Sequence, residues 1–188
     1  MNRRRMIRIL AGMALTPAAA WTSAAPSPAR AAQQRIALGA EARLDLRGPA
    51  AVTGPAERAA WEELDRIEQI FSLYRTESEL SRLNRDGRFA TPAPELVALL
   101  RLAGQIHHAT GGRFDPTVQP LWRALAEGRP TGAAERAIGW DRVRLSKHEI
   151  TLGPGQALTL NGIAQGYATD RVAQVLAQHG LEHALIEI

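Results

Sequence analysis

The chain has 188 residues, enough for one or two domains with a sizeable core, and its 45% hydrophobic and 22% charged residues are ordinary for a globular protein. It has no cysteine, which excludes disulfides, thiolate metal sites and a cysteine nucleophile. The net charge of +4 misleads: Arg3, Arg4, Arg5, Arg8 and Arg30 lie in the first 31 residues, and without them 18 basic residues face 19 acidic ones, so the basic footprint of a nucleic-acid binder is missing.

Residues 1–31 read as an export signal. They comprise a charged start, an apolar stretch too short and too broken by Pro17 to span a bilayer, and an A-x-A cleavage pattern at Ala29–Ala31. Asn2–Arg8 follows the twin-arginine pattern of proteins exported already folded, against the plainer reading of an ordinary secretory start. Either route puts the mature chain, residues 32–188, in the periplasm.

Period-two alternation at Ile36 and Leu38, then Ala42, Leu44 and Leu46, predicts a bent strand or strand pair with Gly39 between. Residues 47–55 read as a loop, with Pro55 in the first turn of a helix over 56–74. Its apolar stripe is Trp61, Leu64, Ile67, Phe71 and Tyr74. Residues 75–88 read as a polar turn and a short helix anchored by Leu80 and Leu83. Thr91 and Pro92 are the expected N-cap and first residue of the next helix, Leu96, Leu99, Leu100, Ala103 and Ile106 its stripe, and Gly111–Gly112 its end.

Pro116 and Pro120 make residues 113–122 irregular. Residues 140–162 read as an antiparallel meander with turns at Ser146–Lys147 and at 153–155. A helix over 162–179 follows, and a strand begins at 183–188. The pattern is α+β: antiparallel strands with packed helices. The strand at the last residues has no visible partner after it and gives the chain the look of one cut short.

Three stretches invite a chemical reading, each with a plainer one beside it. Gly162 and Gly166 open a helix, whose unpaired N–H groups suit a phosphate or pyrophosphate; packing at a tight strand-to-helix turn is the plain alternative. The spacing is neither G-x-G-x-x-G nor a P-loop. Thr110–Val118 holds Asp115 before Pro116, a turn former or a site residue, and Ser78–Asn84 reads as a capped turn. His107 and His108 are adjacent on a helix, point apart and lack a third ligand at helical spacing.

Together and in this order, Phe71–Asn84, Thr110–Leu121 and Gly162–Ala173 resemble the ApbE family, the FAD:protein FMN transferases, over about Leu38–Ile188. The resemblance implies a two-lobed α+β fold, with FAD as substrate in a cleft between lobes and Mg²⁺ bound. It further implies transfer of FMN to a Thr or Ser hydroxyl of an acceptor redox protein, with release of AMP. The acceptor supplies the nucleophile, so no catalytic residue is assigned.

By the same resemblance Leu38, Gly39 and Ala40 stand at the family's Met-Gly-Thr segment, and Phe114, Asp115 and Thr117 at its F-D-P-T segment. Asn161, Gly162, Gln165, Tyr167 and Asp170 stand in its glycine-rich segment, with a carbonyl near Gly162 helping to hold the metal. Two departures weaken the match: Thr159 replaces the usual Asp and Gln165 the usual Lys. The family's carboxylate metal ligands are expected beyond Ile188, so residues 32–188 are read as the N-terminal part of the domain, with an incomplete metal site. The rival functions are an FAD pyrophosphatase, with water as attacker, and a non-catalytic flavin-binding protein.

Overall fold

The computed structural model describes residues 29–181 and 184–188. Apart from Ala29–Ala31, the expected export signal lies outside the described residues. Those three open strand β1, Ala29–Ala37, so cleavage after Ala31 would shorten that strand.

β1 pairs antiparallel with β2, Ala40–Gly48, from Ala37↔Ala40 to Ala29↔Gly48. The link is the two-residue turn Leu38–Gly39, with φ of 50° and 81°, the left-handed pair that a tight hairpin requires. α1, Ala50–Phe71, follows. It starts ahead of the expected 56 and converts most of the predicted loop, because Thr53, Ala56 and Glu57 are buried there. Pro55 therefore lies inside the helix and removes one helical hydrogen bond.

Trp61, Leu64, Ile67 and Phe71 form the buried stripe as expected. Tyr74 does not belong to it: the helix ends at Phe71, and Tyr74 is 66% exposed. The Ser72 hydroxyl accepts the Tyr74 and Arg75 amides and turns the chain away. α2, Glu79–Asp86, is capped by Ser78, whose hydroxyl accepts from Ser81 N–H, and buries Leu80 and Leu83.

A strand the sequence did not announce, β3 at Arg88–Ala90, comes next. α3, Pro94–Ala109, begins later than expected, with Ala93 rather than Thr91 as N-cap. Thr91 has φ of 54°, and Glu79 accepts the Ala93 amide at 2.8 Å. Leu96, Leu99, Leu100 and Ala103 are buried; Ile106 is half-buried.

The segment expected to be irregular contains a 3₁₀ turn, Pro116–Val118, and a real helix, α4, Gln119–Ala126. Pro120 sits in its first turn, where a missing N–H is harmless. A short α5, Gly132–Ala137, precedes the hairpin of β4, Arg144–Leu145, and β5, Glu149–Thr151. The third meander strand does not form. Residues 156–160 are unpaired by any strand, because Asn84 takes both the N–H and the carbonyl of Leu158, at 2.7 and 2.8 Å.

α6, Asn161–Gln178, leads to β6, Ala184–Glu187, which pairs antiparallel with the earlier β2. The sheets are ordered β1-β2-β6 and β3-β5-β4. α1 lies in the middle, packed on β1, β2, α2, α3 and α6. The small residues Ala164 and Ala168 let α6 approach it, and Glu63 of α1 bonds Arg66 and Arg171 at 2.9 and 3.0 Å, with Arg66 reaching Glu95 of α3.

Candidate functional site

Asp115 organises the loop after α3. Its Oδ1 accepts from the Thr117 N–H at 2.8 Å and the Thr117 hydroxyl at 2.6 Å. Thr117 is fully buried, and its hydroxyl oxygen also accepts the Gly139 N–H at 2.8 Å. The Pro116 carbonyl accepts the Thr159 N–H at 2.8 Å, which ties the loop to the entry of α6. Local turn chemistry and two long-range bonds thus put Phe114–Thr117 beside Thr159–Gly162.

Between them opens a cleft of about 460 Å³. One side carries Phe114, Asp115, Thr159, Asn161 and Gly162; the other is the apolar face of α4, with Leu121, Trp122 and Leu125. Trp122 and Leu125 are more than half exposed, unusual for large apolar groups. The first turn of α6 meets this cleft with Leu160, which has no capping side chain, at its N-cap position and without an acidic residue. Thr159 Oγ1 accepts the Asn161 N–H at 3.3 Å and the Leu160 carbonyl accepts those of Ile163 and Ala164, so the Gly162 N–H and the positive dipole end are what this helix start offers an anion such as a phosphate. Gly162 is confined by Phe114, whose ring carbon would lie 3.3 Å from a Cβ there.

A Cβ at Gly166 would meet nothing within 4 Å, so no packing among the described residues requires that glycine. Gln165 is half-buried, and its carbonyl accepts from the Thr169 hydroxyl at 2.9 Å. Tyr167 turns towards α1: its ring meets Phe71 edge-on, centroids 5.3 Å apart, and burial pushes its hydroxyl pKa up. Asp170 is exposed. None of Gln165, Tyr167 and Asp170 lines the cleft.

Leu38, Gly39 and Ala40 form a separate corner at the tip of the β1–β2 hairpin. Leu38 is buried despite its positive φ, an uncommon conformation for a bulky residue. Its N–H donates to Glu68 Oε1 at 2.9 Å, and Arg75 closes on the other Glu68 oxygen. The Tyr74 ring lies on Gly39, where a Cβ would sit 2.1 Å from it. Sequence reasoning missed Tyr74 and Glu68 here, and α4 as the wall of the cleft. The spacing of Leu121, Ala124 and Leu125 was the available signal for the helix, hidden by the two prolines. A larger groove of about 560 Å³, between Asn84–Gly87, Arg123 and 152–157, holds none of the sequence-predicted site residues.

The site thus sets a helix N-terminus and the Asp115 carboxylate beside the apolar side chains of α4, an arrangement that can face a phosphate and an apolar group at once. Residues 36–188 match the ApbE family model, and the chain belongs to the ApbE family. A FAD:protein FMN transferase of Haemophilus influenzae is 32% identical over 144 residues, 66% of this chain and 42% of that protein. One of Chlamydia trachomatis is 31% identical over 147 residues, 68% of this chain and 46% of that one. Among solved structures, the flavin transferase ApbE of Vibrio cholerae superposes with a TM-score of 0.75 at 22% identity, covering 86% of this chain and 57% of that one. The apo flavinyl transferase ApbE of Pseudomonas stutzeri gives 0.72 at 22%, covering 86% and 56%. These likenesses establish the α+β fold. The chain spans less than half the length of the curated relatives named here.

Proposed function

We propose that this chain is part of a FAD:protein FMN transferase that moves FMN from FAD to a Thr or Ser hydroxyl of an acceptor redox protein. The observation that carries the reading is the start of α6 in the cleft beside Phe114 and Asp115, in a chain whose relatives are named for that activity. The hydroxyl oxygen forms a bond to the FMN-side phosphorus and the bridging P–O bond breaks. AMP leaves with the electron pair, and the hydroxyl proton passes to a base or solvent.

In this reading the Gly162 N–H and the positive end of α6 face pyrophosphate oxygens, and Asp115 keeps Phe114 and Pro116 in register with Thr159. The apolar face of α4 excludes water from one side of the cleft. A carbonyl near Gly162 is a hard donor of the kind Mg²⁺ takes; at Gly162 itself, inside α6, it accepts the helical N–H four residues on and would serve only with its remaining lone pair, beside substrate phosphates and water. When bound, Mg²⁺ supplies charge neutralisation on the pyrophosphate. Among the described residues no three of His, Cys, Asp and Glu are grouped so as to hold a metal ion. We also propose that residues 1–31 direct export, through the twin-arginine route, and that the acceptor faces the periplasm.

The test is one assay with FAD, Mg²⁺ and an acceptor domain bearing a single threonine. It is run with residues 32–188, and again with whatever follows Ile188 in the reading frame. Fluorescent acceptor and AMP in equal amounts are expected from at least one. AMP without labelled acceptor would mean that water is the attacker, and bound FAD with neither product would mean a binding protein.

A further inference from the structure

We infer that His107 is a positioning residue of the cleft: through its Nδ1–H it fixes the Phe114–Asp115 segment and so sets how tightly the cleft holds the nucleotide. This rests on the FAD reading above. His107 Nδ1 lies 2.9 Å from the Phe114 carbonyl oxygen, which can only accept, so Nδ1 carries the proton. The same nitrogen is 3.5 Å from Asp115 Oδ2, too long for an ordinary hydrogen bond.

Asp115 Oδ1 is saturated by Thr117. Because the His107 proton is committed to Phe114, Oδ2 keeps its acceptor capacity for a ligand. The imidazole is held in place: its side chain is 14% exposed, and it lies between His108, at 5.3 Å, and Trp140, at 6.5 Å. Trp140 in turn rests on Gly104, where a Cβ would come within 2.7 Å of its ring nitrogen. Phe114 touches the Gly162 position, so a shift of the Phe114 carbonyl is transmitted to the first turn of α6.

Asn at 107 places an amide N–H near the Nδ1 position; Phe keeps the ring and removes the donor; Gln carries its donor to the Nε2 position instead. The Kd for FAD with Mg²⁺, read by flavin fluorescence, is expected to stay within about threefold of wild type in H107N and to rise about tenfold in H107F and H107Q. Amide hydrogen exchange of the apo chain over 113–118 is expected to quicken in H107F and H107Q only. The inverse pattern, with H107F like wild type and H107N impaired, would reduce His107 to ring packing and overturn the proposal. A wild-type chain with no affinity for FAD would sink the functional reading, while the exchange comparison would still decide whether His107 holds the loop.

Discussion

The α1–α6 pair is ordered by rows of apolar side chains at helical spacing, Leu64, Ile67 and Phe71 facing Ala164, Ala168 and Val172. In the stretch from Arg113 to Gly162 apolar anchors are fewer, Ile150, Leu158 and Leu160 among them, and single hydrogen bonds between distant residues fix the backbone around the cleft: Asn84 with Leu158, Thr117 with Gly139, Pro116 with Thr159. The first kind of order is redundant, since many contacts share the load. The second is sparse, since each bond holds one piece of backbone. The candidate site sits in the sparse region, where a backbone can be aimed at a ligand without being buried by its neighbours.

The comparison predicts effects that differ in size and reach. Ile67→Ala should cost about 2–5 kcal/mol by opening a cavity in the fully buried stripe, read as the urea unfolding midpoint. The loss should be global, with hydrogen exchange faster throughout. Asn84→Ala should cost about 1–3 kcal/mol, because the N–H and carbonyl of buried Leu158 lose their partner together. Here exchange should quicken first over 156–160; uniform quickening would break the distinction between the two regions.

Acid should act on the helical region through Glu63. Its hydrogen bond from Arg66, aided by Arg171 and opposed by burial, holds the carboxyl below its ordinary value. The folded value is lower than the unfolded one. The stabilisation is therefore complete above the unfolded value and is lost as pH falls through the folded one. Glu63→Gln should flatten this part of the acid limb in urea midpoints taken between neutral and acid pH. Glu79 works the other way: burial raises its carboxyl, so the penalty for its charge fades as pH falls.

Gly166→Ala is the smallest effect and has the opposite sign. With open space at the Cβ it should stabilise by about 0.5–1 kcal/mol. If FAD or the acceptor passes over that face of α6, the same variant should bind or label less well despite its higher Tm. Unchanged binding and labelling would leave Gly166 without a role.

Helix existence and the buried stripe were legible because amphipathic periodicity is local: Trp61, Leu64, Ile67, Phe71, Leu80, Leu83 and Leu96–Ala103 can be read from spacing alone. Helix starts were less legible. Pro55 and Thr91 carry standard boundary chemistry, yet burial of Thr53 and the bond from Ala93 to Glu79 moved both boundaries. Of the site, Phe114, Asp115, Asn161 and Gly162 were named in advance and come together at one cleft. The wall of α4, the Tyr74 ring over Gly39 and the His107 donor were not, since each depends on which residues meet across the fold.

The amino-acid order alone determined the α+β class, the family likeness and the apolar rows, since these follow from local periodicity and from motifs read in sequence. Only tertiary structure decided that residues 156–160 run as unpaired chain rather than as a strand, that β6 joins the sheet beside β2, and that the start of α6 faces Asp115. A backbone amide carries no sequence signature of its partner. Where that partner is a side chain 74 residues away, only the folded chain reveals it.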